Sequence, residues 1–313
     1  MEFEPNNSLL KLSPESVEAV YKEYNLKNEQ SVNESVAILR KWMQQQQHFT
    51  RTDFSDNYLR SMVIGGKGSV ERAKSYIDRI CTLRTTVPQC FGDFDVKKDL
   101  NYVFESFIPA ILPNVTKNNH RIFVGKLINN IKSIEQIRDY IRFSMWLIEY
   151  IKGCDPIPGY EVVIDLSGSG VGSLVHFMNT MELRNAIEIY LGGYGMKMKG
   201  LHFITTSKII DAVISILKQI FKPKLISRIF VHKNYEQLYD AVERELLPKD
   251  LGGDDRSLSE INNDWLEAMS KEDFKNYMKT MNMAKTDESR RPSDKFCEEY
   301  AGMPGTFKVL TVD

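Results

Sequence analysis

Apolar residues near the start of the chain recur every three or four positions, the period of helices with one buried face. After Ser13-Pro14-Glu15, a capping hydroxyl followed by proline at the first helical position, come Val17, Val20, Tyr21 and Tyr24. Val36, Leu39 and Trp42 mark a second helix. Asp53 and Ser69 are candidate caps for two more, the last carrying Ala73, Tyr76, Ile77 and Ile80, with Gly65-Gly66-Lys67-Gly68 between them. Residues 1 to about 90 therefore read as helices only.

From about residue 120 strands and helices alternate. Strands are predicted at Arg121 to Leu127, Glu161 to Leu166, Gly200 to Thr205 and Arg228 to His232. Helices are predicted at Ser133 to Ile151, Ser173 to Leu191, Lys208 to Phe221 and Tyr235 to Leu246. This order implies an α/β fold with a mostly parallel sheet and helical crossovers. Past Gly253, Ser257-Leu258-Ser259-Glu260 fits a capping box, and Trp265, Met269, Phe274 and Met278 could dock a helix on the main domain. Lys285 to Asp294 is polar and expected to be loose. The expected divisions are a helical module at 1–95, a main domain at 96–255 and a docking tail at 256–313.

The helix at Lys208 to Phe221 is the most informative. At about 100° per residue, Ile209, Ile210, Val213, Ile214, Ile216, Leu217, Ile220 and Phe221 share an arc of roughly 160°. Lys208, Asp211, Ser215, Lys218 and Lys222 fill the opposite side. A surface helix packed on a sheet and a helix that lids an apolar cavity both require that inner face, so the pattern leaves both open. Two basic pairs flank this helix. Lys197 and Lys199 point the same way on an extended segment, and Lys224 and Arg228 share a face on a helical turn. They read either as scattered solvated charges or as a grip on a phosphorylated headgroup, with attraction to an anionic surface worth about 1 kcal/mol per residue.

Composition narrows the classes. Apolar residues are 42% and charged residues 27% of the 313 positions, an ordinary globular balance able to bury a sizeable core. A net charge of −1 argues against nonspecific coating of nucleic acid. The opening MEFEPNNSLL has no basic n-region or apolar stretch of a signal peptide, and no apolar run approaches the ~18 residues of a membrane span. Cys81, Cys90, Cys154 and Cys297 lie far apart and read as free thiols. A cytoplasmic setting with peripheral membrane contact is expected.

Several stretches resemble the CRAL-TRIO family. Arg51 to Arg84 resembles the helical module that precedes its lipid-binding domain. The core similarity runs through Gly159 to Gly168, Lys197 to Ile204 and Lys224 to His232, and ends in LLPKDLGG from Leu246 to Gly253, the most specific motif. The closing Gly305 to Leu310 is similar to the tails of insect members of the kind of alpha-tocopherol transfer protein and clavesin. The resemblance implies a bowl of strands beneath an amphipathic gate helix, with one small hydrophobic lipid inside: a retinoid, a tocopherol, a carotenoid-like compound or a phospholipid. It implies carriage of that lipid between membranes, without catalysis or a cofactor. By position, Lys197, Lys199, Lys224 and Arg228 match residues with which tocopherol carriers of the family hold phosphoinositide headgroups. Ile141, Ser144, Met145, Ile148, Ile164, Val175, Tyr194, Leu201, Ile210, Val213, Ile214 and Leu217 fall near cavity-lining positions. The chain departs from the family where Thr205-Thr206-Ser207 replaces the usual Asn and Pro before the gate, and where Tyr194-Gly195 replaces Tyr-Pro. Ligand type therefore does not transfer.

Rival chemistry is thin. Gly168-Ser169-Gly170-Val171-Gly172 follows a strand and Glu188 lies twenty residues on, but the third glycine is misplaced for a dinucleotide fingerprint. His176, His202 and His232 are isolated in sequence and read as structural, and Asp165 is expected to bond the turn after its strand. A membrane-directed interaction scaffold is the other alternative, favoured by an empty or very small cavity. Tyr190, Tyr194, Ser144, Thr205 and Thr206 could offer hydroxyls to a ligand, and Met145, Met178, Met181, Met196 and Met198 an adaptable lining.

Overall fold

The computed structural model describes residues 2, 3, 5, 8–168, 171–178 and 181–292. Four helices open the chain: α1 (Pro14–Glu23), α2 (Glu29–Gln44), α3 (Asp56–Gly65) and α4 (Val70–Thr86). Each begins at a side chain that accepts a hydrogen bond from an amide of the first turn: Ser13 from Ser16 N, Asn28 from Ser31 N, Ser55 from Tyr58 N and Ser69 from Arg72 N. Ser55, rather than Asp53, caps α3, because Asp53 is held by the Arg51 guanidinium at 2.5 Å. The turn into α4 places Lys67 at φ 58° and Gly68 at φ 74°, and a Cβ on Gly68 would meet Leu26 at 2.6 Å.

The sheet has five strands in sequential order: β1 (Phe107–Val115), β2 (Arg121–Leu127), β3 (Gly159–Asp165), β4 (Lys197–Ile204) and β5 (Ile229–His232). β2 to β5 run parallel, and β1 pairs antiparallel with β2. The periodicity did not reveal β1, because Pro109 and Pro113 interrupt it. Proline is tolerated on an edge strand, where the missing amide faces away from the neighbour. Crossovers are α5 (Ile134–Cys154), then α6 (Val171–Met178) with α7 (Met181–Ile187), then α8 (Ile210–Ile220) with α9 (Pro223–Ile226). The single helix expected at Ser173 to Leu191 is instead α6, α7 and a wide π-helical turn over Glu188–Gly193. That turn lies against α4, with Glu188 paired to Arg79. The helix expected at Tyr235 to Leu246 is also absent. Two 3-10 turns, Glu236–Leu238 and Arg244–Leu246, carry that stretch, anchored by fully buried Leu238 and Val242. The Asn234 side chain accepts from Gln237 N, and Tyr235 donates to Asp165, contacts that hold a loop.

The tail folds back as two helices, α10 (Leu258–Met269) and α11 (Glu272–Asn282). The Ser257–Glu260 capping box starts α10, and Trp265 Nε1 donates to the Ile111 carbonyl of β1 at 2.9 Å. Lys285 to Pro292 is less loose than its composition implies: Asp287 N bonds the His48 carbonyl, and Arg291 makes a bidentate pair with Asp78.

One apolar core passes from α2–α4 through α5 to α10 and α11. At its centre Arg84 of α4, fully buried, bonds Glu149 of α5, which also accepts the Tyr194 hydroxyl at 2.6 Å. Removing one partner of a buried ion pair strands the other charge at about 3–5 kcal/mol. Glu149→Leu is therefore expected to cost about that much in urea unfolding, and Arg84→Met added to it to restore most of the loss.

Candidate functional site

A cavity of about 320 Å³ lies between the inner face of the sheet and α5, α7 and the end of α8. Strand alternation builds its floor. Ile111, Phe123, Val162 and Leu201 lie in register across β1 to β4, as do Gly125, Ile164 and Phe203 across β2 to β4. Along β4 and the residue before it the inward set is Met196 and Met198, then Leu201 and Phe203. That change of phase is possible because the register shifts between Tyr160↔Met198 and Glu161↔Gly200, leaving Lys199 as an extra residue. On α5 the cavity side is Ile137, Tyr140, Ile141, Ser144 and Ile148, at helical spacing. No side chain lining the cavity among the described residues is charged.

Of the expected lining positions, Ile141, Ser144, Ile148, Ile164, Leu201 and Leu217 stand in this wall. Met145, Val175, Tyr194, Ile210, Val213 and Ile214 do not. Met145 is one position round α5 and is buried in the helical core. Tyr194 points its hydroxyl at Glu149. Ile210, Val213 and Ile214 pack α8 into a second apolar cluster with Leu127, Leu166 and Val171, while Val175 of α6 is half-buried against it. α8 thus meets the hollow through Leu217, with Phe221 just beyond its end. The wall also includes residues not expected, Phe107 and Ile111 of β1 and Leu183, Ala186 and Ile187 of α7, beside Tyr190, which was expected as a hydroxyl. The first pair was hidden with its strand. The second belongs to a run whose unbroken helical period concealed the π turn. Of the expected hinge and lining groups, Thr205 accepts from Ser207 N at 3.1 Å, Met181 is exposed, and the side chains of His176 and Met178 lie outside the described residues.

The basic residues gather at the start of β4. Lys197 donates to the Tyr76 hydroxyl of α4 at 2.6 Å. Lys199 pairs with Glu23 of α1 at 2.5 Å and lies 5.6 Å from the centre of the Tyr24 ring, which also receives Lys67 at 5.5 Å. Arg228 donates to the Met198 carbonyl, and Lys224 on α9 is exposed. Lys152 is buried nearby; desolvation, with Lys197 beside it, pushes its ammonium down to about 8. The helical module thus supplies Glu23, Tyr24 and Tyr76 to the cationic rim.

The outer face of the sheet carries a polar row. Glu161 contacts His120 Nδ1 at 2.7 Å and His202 Nε2 at 3.2 Å, and His202 Nδ1 contacts His232 Nε2 at 2.9 Å. A carboxylate only accepts, so both histidines donate to it. Asp165 accepts from Ser167 N and Tyr235 and pairs with Lys126 at 3.2 Å, which anchors the turn after β3. No group of three or more His, Cys, Asp or Glu among the described residues is arranged to hold a metal ion. Cys81, Cys90 and Cys154 are free thiols. No helix among the described residues is long and apolar enough to cross a membrane.

This architecture and hollow belong to a known class. The CRAL/TRIO domain profile matches residues 107–253, and a Pinta-like, UBA domain profile matches residues 28–100. Over residues 107–253, a little under half of its length, the chain matches the CRAL-TRIO family. It is similar to an alpha-tocopherol transfer protein-like protein of Mus musculus, 22% identical over 242 residues, which are 76% of this chain and 70% of that one. It is similar also to clavesin-2 of Rattus norvegicus, 27% identical over 149 residues, 46% of this chain and 45% of the relative. The crystal structure of Sfh5 aligns over 88% of this chain and 99% of its own, at 12% identity and a TM-score of 0.45.

Acid should weaken the polar row. Burial alone would raise the Glu161 carboxyl, but the bonds from His120 and His202 outweigh it and hold it at about 2, below its ordinary 4.5. A carboxylate depressed by folding contributes stability above its unfolded value and loses it as pH falls toward the folded one. His232, lowered by burial and by His202, adds loss below its ordinary 6.5. Urea midpoints of the native protein are expected to fall steeply between pH 4.5 and 2, whereas Glu161→Gln starts lower and falls less.

Proposed function

We propose that this protein binds one small hydrophobic lipid in the cavity beneath the sheet and carries it between membranes. A retinoid, a tocopherol, a carotenoid-like compound and a phospholipid are the candidate cargoes. The observation that carries the reading is the uncharged cavity wall, an environment that water leaves readily and a greasy molecule enters. Burial of about 400 Å² of apolar ligand contributes roughly 10 kcal/mol before ordering costs. Release into water is therefore slow, and exchange requires a second apolar phase and movement of α8. The names of the relatives, a tocopherol transfer protein-like protein among them, support the same reading.

The cationic rim is the proposed contact with phosphoinositide headgroups. Lys197 and Lys199 stand at the start of β4, Arg228 donates to the Met198 carbonyl between them, and Lys224 is exposed on α9. Glu23 at present neutralises Lys199. A membrane phosphate would displace it, and docking would loosen α1 from the cargo-holding part. In this reading 1–95 is a regulatory module, 96–255 holds cargo and 256–313 braces it. The same surface supports a peripheral, cytoplasm-facing role in which the protein carries rather than transforms its lipid.

Two measurements test this. Native mass spectrometry of protein from its own tissue should show one bound lipid per chain, and Ala186→Phe, which fills the cavity wall, should abolish that peak while the thermal midpoint holds. Reversal of Lys197, Lys199, Lys224 and Arg228 to Glu should slow transfer from vesicles containing phosphatidylinositol 4,5-bisphosphate by about tenfold or more, at four charges of about 1 kcal/mol each. Unchanged transfer would remove the rim from the mechanism and leave the cavity in place.

A further inference from the structure

The cavity wall contains six polar side chains, and their protons can be traced one by one. Ser106 donates to the Asn130 carbonyl at 2.9 Å and accepts from Gln136 Nε2 at 3.0 Å. Gln136 Oε1 accepts from Lys132 N at 2.9 Å. These two groups are committed to the chain. Ser144 Oγ donates its only proton to the Ile141 carbonyl at 2.7 Å. The 2.6 Å contact between Ser144 Oγ and the Tyr190 hydroxyl must then use the Tyr190 proton. Both protons of the pair are spent, and what remains on Tyr190 Oη is lone pairs. Tyr140 and Tyr160 make no hydroxyl hydrogen bond among the described residues. Burial holds the Tyr140 phenol in its protonated form.

A ligand oxygen against Tyr190 meets an acceptor. A hydroxyl satisfies it by donating. A carbonyl has no proton to give and leaves the Tyr190 lone pairs desolvated, the costly way to mismatch a buried polar group. A phosphate or carboxylate drawn inside would find no cation among the described wall residues. We propose that the cavity selects a neutral lipid carrying a hydroxyl, an alcohol or phenol on an otherwise apolar body, over the matching aldehyde, ketone or ester. Tyr190, oriented by Ser144, is the selecting group. The proposal rests on the cavity being a lipid site.

The test uses the full chain loaded with diphenylhexatriene, an apolar fluorophore without polar groups, and displacement by all-trans-retinol or all-trans-retinal. The native protein should release the fluorophore at roughly tenfold lower retinol than retinal, the ratio one hydrogen bond supports. Ser144→Ala frees the Tyr190 proton to donate, so the ratio should fall to about one or turn toward the aldehyde. Tyr190→Phe added to Ser144→Ala removes the group, and the two retinoids should then bind alike. Equal displacement in the native protein, or a ratio that survives both variants, overturns the selectivity while leaving the cavity reading intact. Failure of diphenylhexatriene and both retinoids to bind overturns the cavity reading, and the selectivity with it.

Discussion

A folded chain that keeps a hollow beside its sheet forgoes the packing that usually covers that face, so its rigidity must come from elsewhere. Here it comes from the far side of α5. Ile141, Ser144 and Ile148 face the void, while Met145, Trp146 and Glu149 on the same helix are gripped by the N-terminal helices and by the tail. The Arg84–Glu149–Tyr194 contact draws α4, α5 and the segment before β4 to one point. Arg121 repeats the device at the sheet, with Asp155 held at 2.9 and 3.2 Å and the Pro113 carbonyl at 2.6 Å. Buried charge is an expensive adhesive, but it fixes orientation as well as distance. The helical module and the tail therefore act as the buttress that lets α5 present a bare apolar face without collapsing onto the strands.

Much of this was legible in the residues. Helical period placed α1 to α4, with the hydroxyls of Ser13 and Ser69 marking the starts of α1 and α4, because those signals are local, and short Val- and Ile-rich runs between helices placed β2 to β5. What escaped depended on distant partners. β1 hides behind two prolines that only an edge position excuses. The loop after β5 carries helical spacing, yet Tyr235 and Asn234 commit their side chains elsewhere.

The candidate site was legible in the same uneven way. The cations at 197, 199 and 228 could be grouped from spacing and resemblance, whereas Glu23 and Tyr76, more than a hundred residues away, could not be assigned to them. The inner face of α5 follows from the resemblance to within one position, the distance between Ser144 in the wall and Met145 in the core. For α8 the pattern correctly indicated one apolar face. It could not show that Ile210 and Val213 find solid packing while Leu217 borders the void, since that depends on what stands opposite.

The proline-bearing edge has a meaning for life in a crowded cell. A carrier that opens to exchange cargo bares a greasy interior for a moment, and two such molecules meeting edge to edge would find each other's strands as ready templates. Pro109 and Pro113 deny hydrogen bonds along one rim, and α10 lies across it with Trp265 on the Ile111 carbonyl. The opposite rim is only four residues long. The sheet therefore offers a second chain almost nothing to extend.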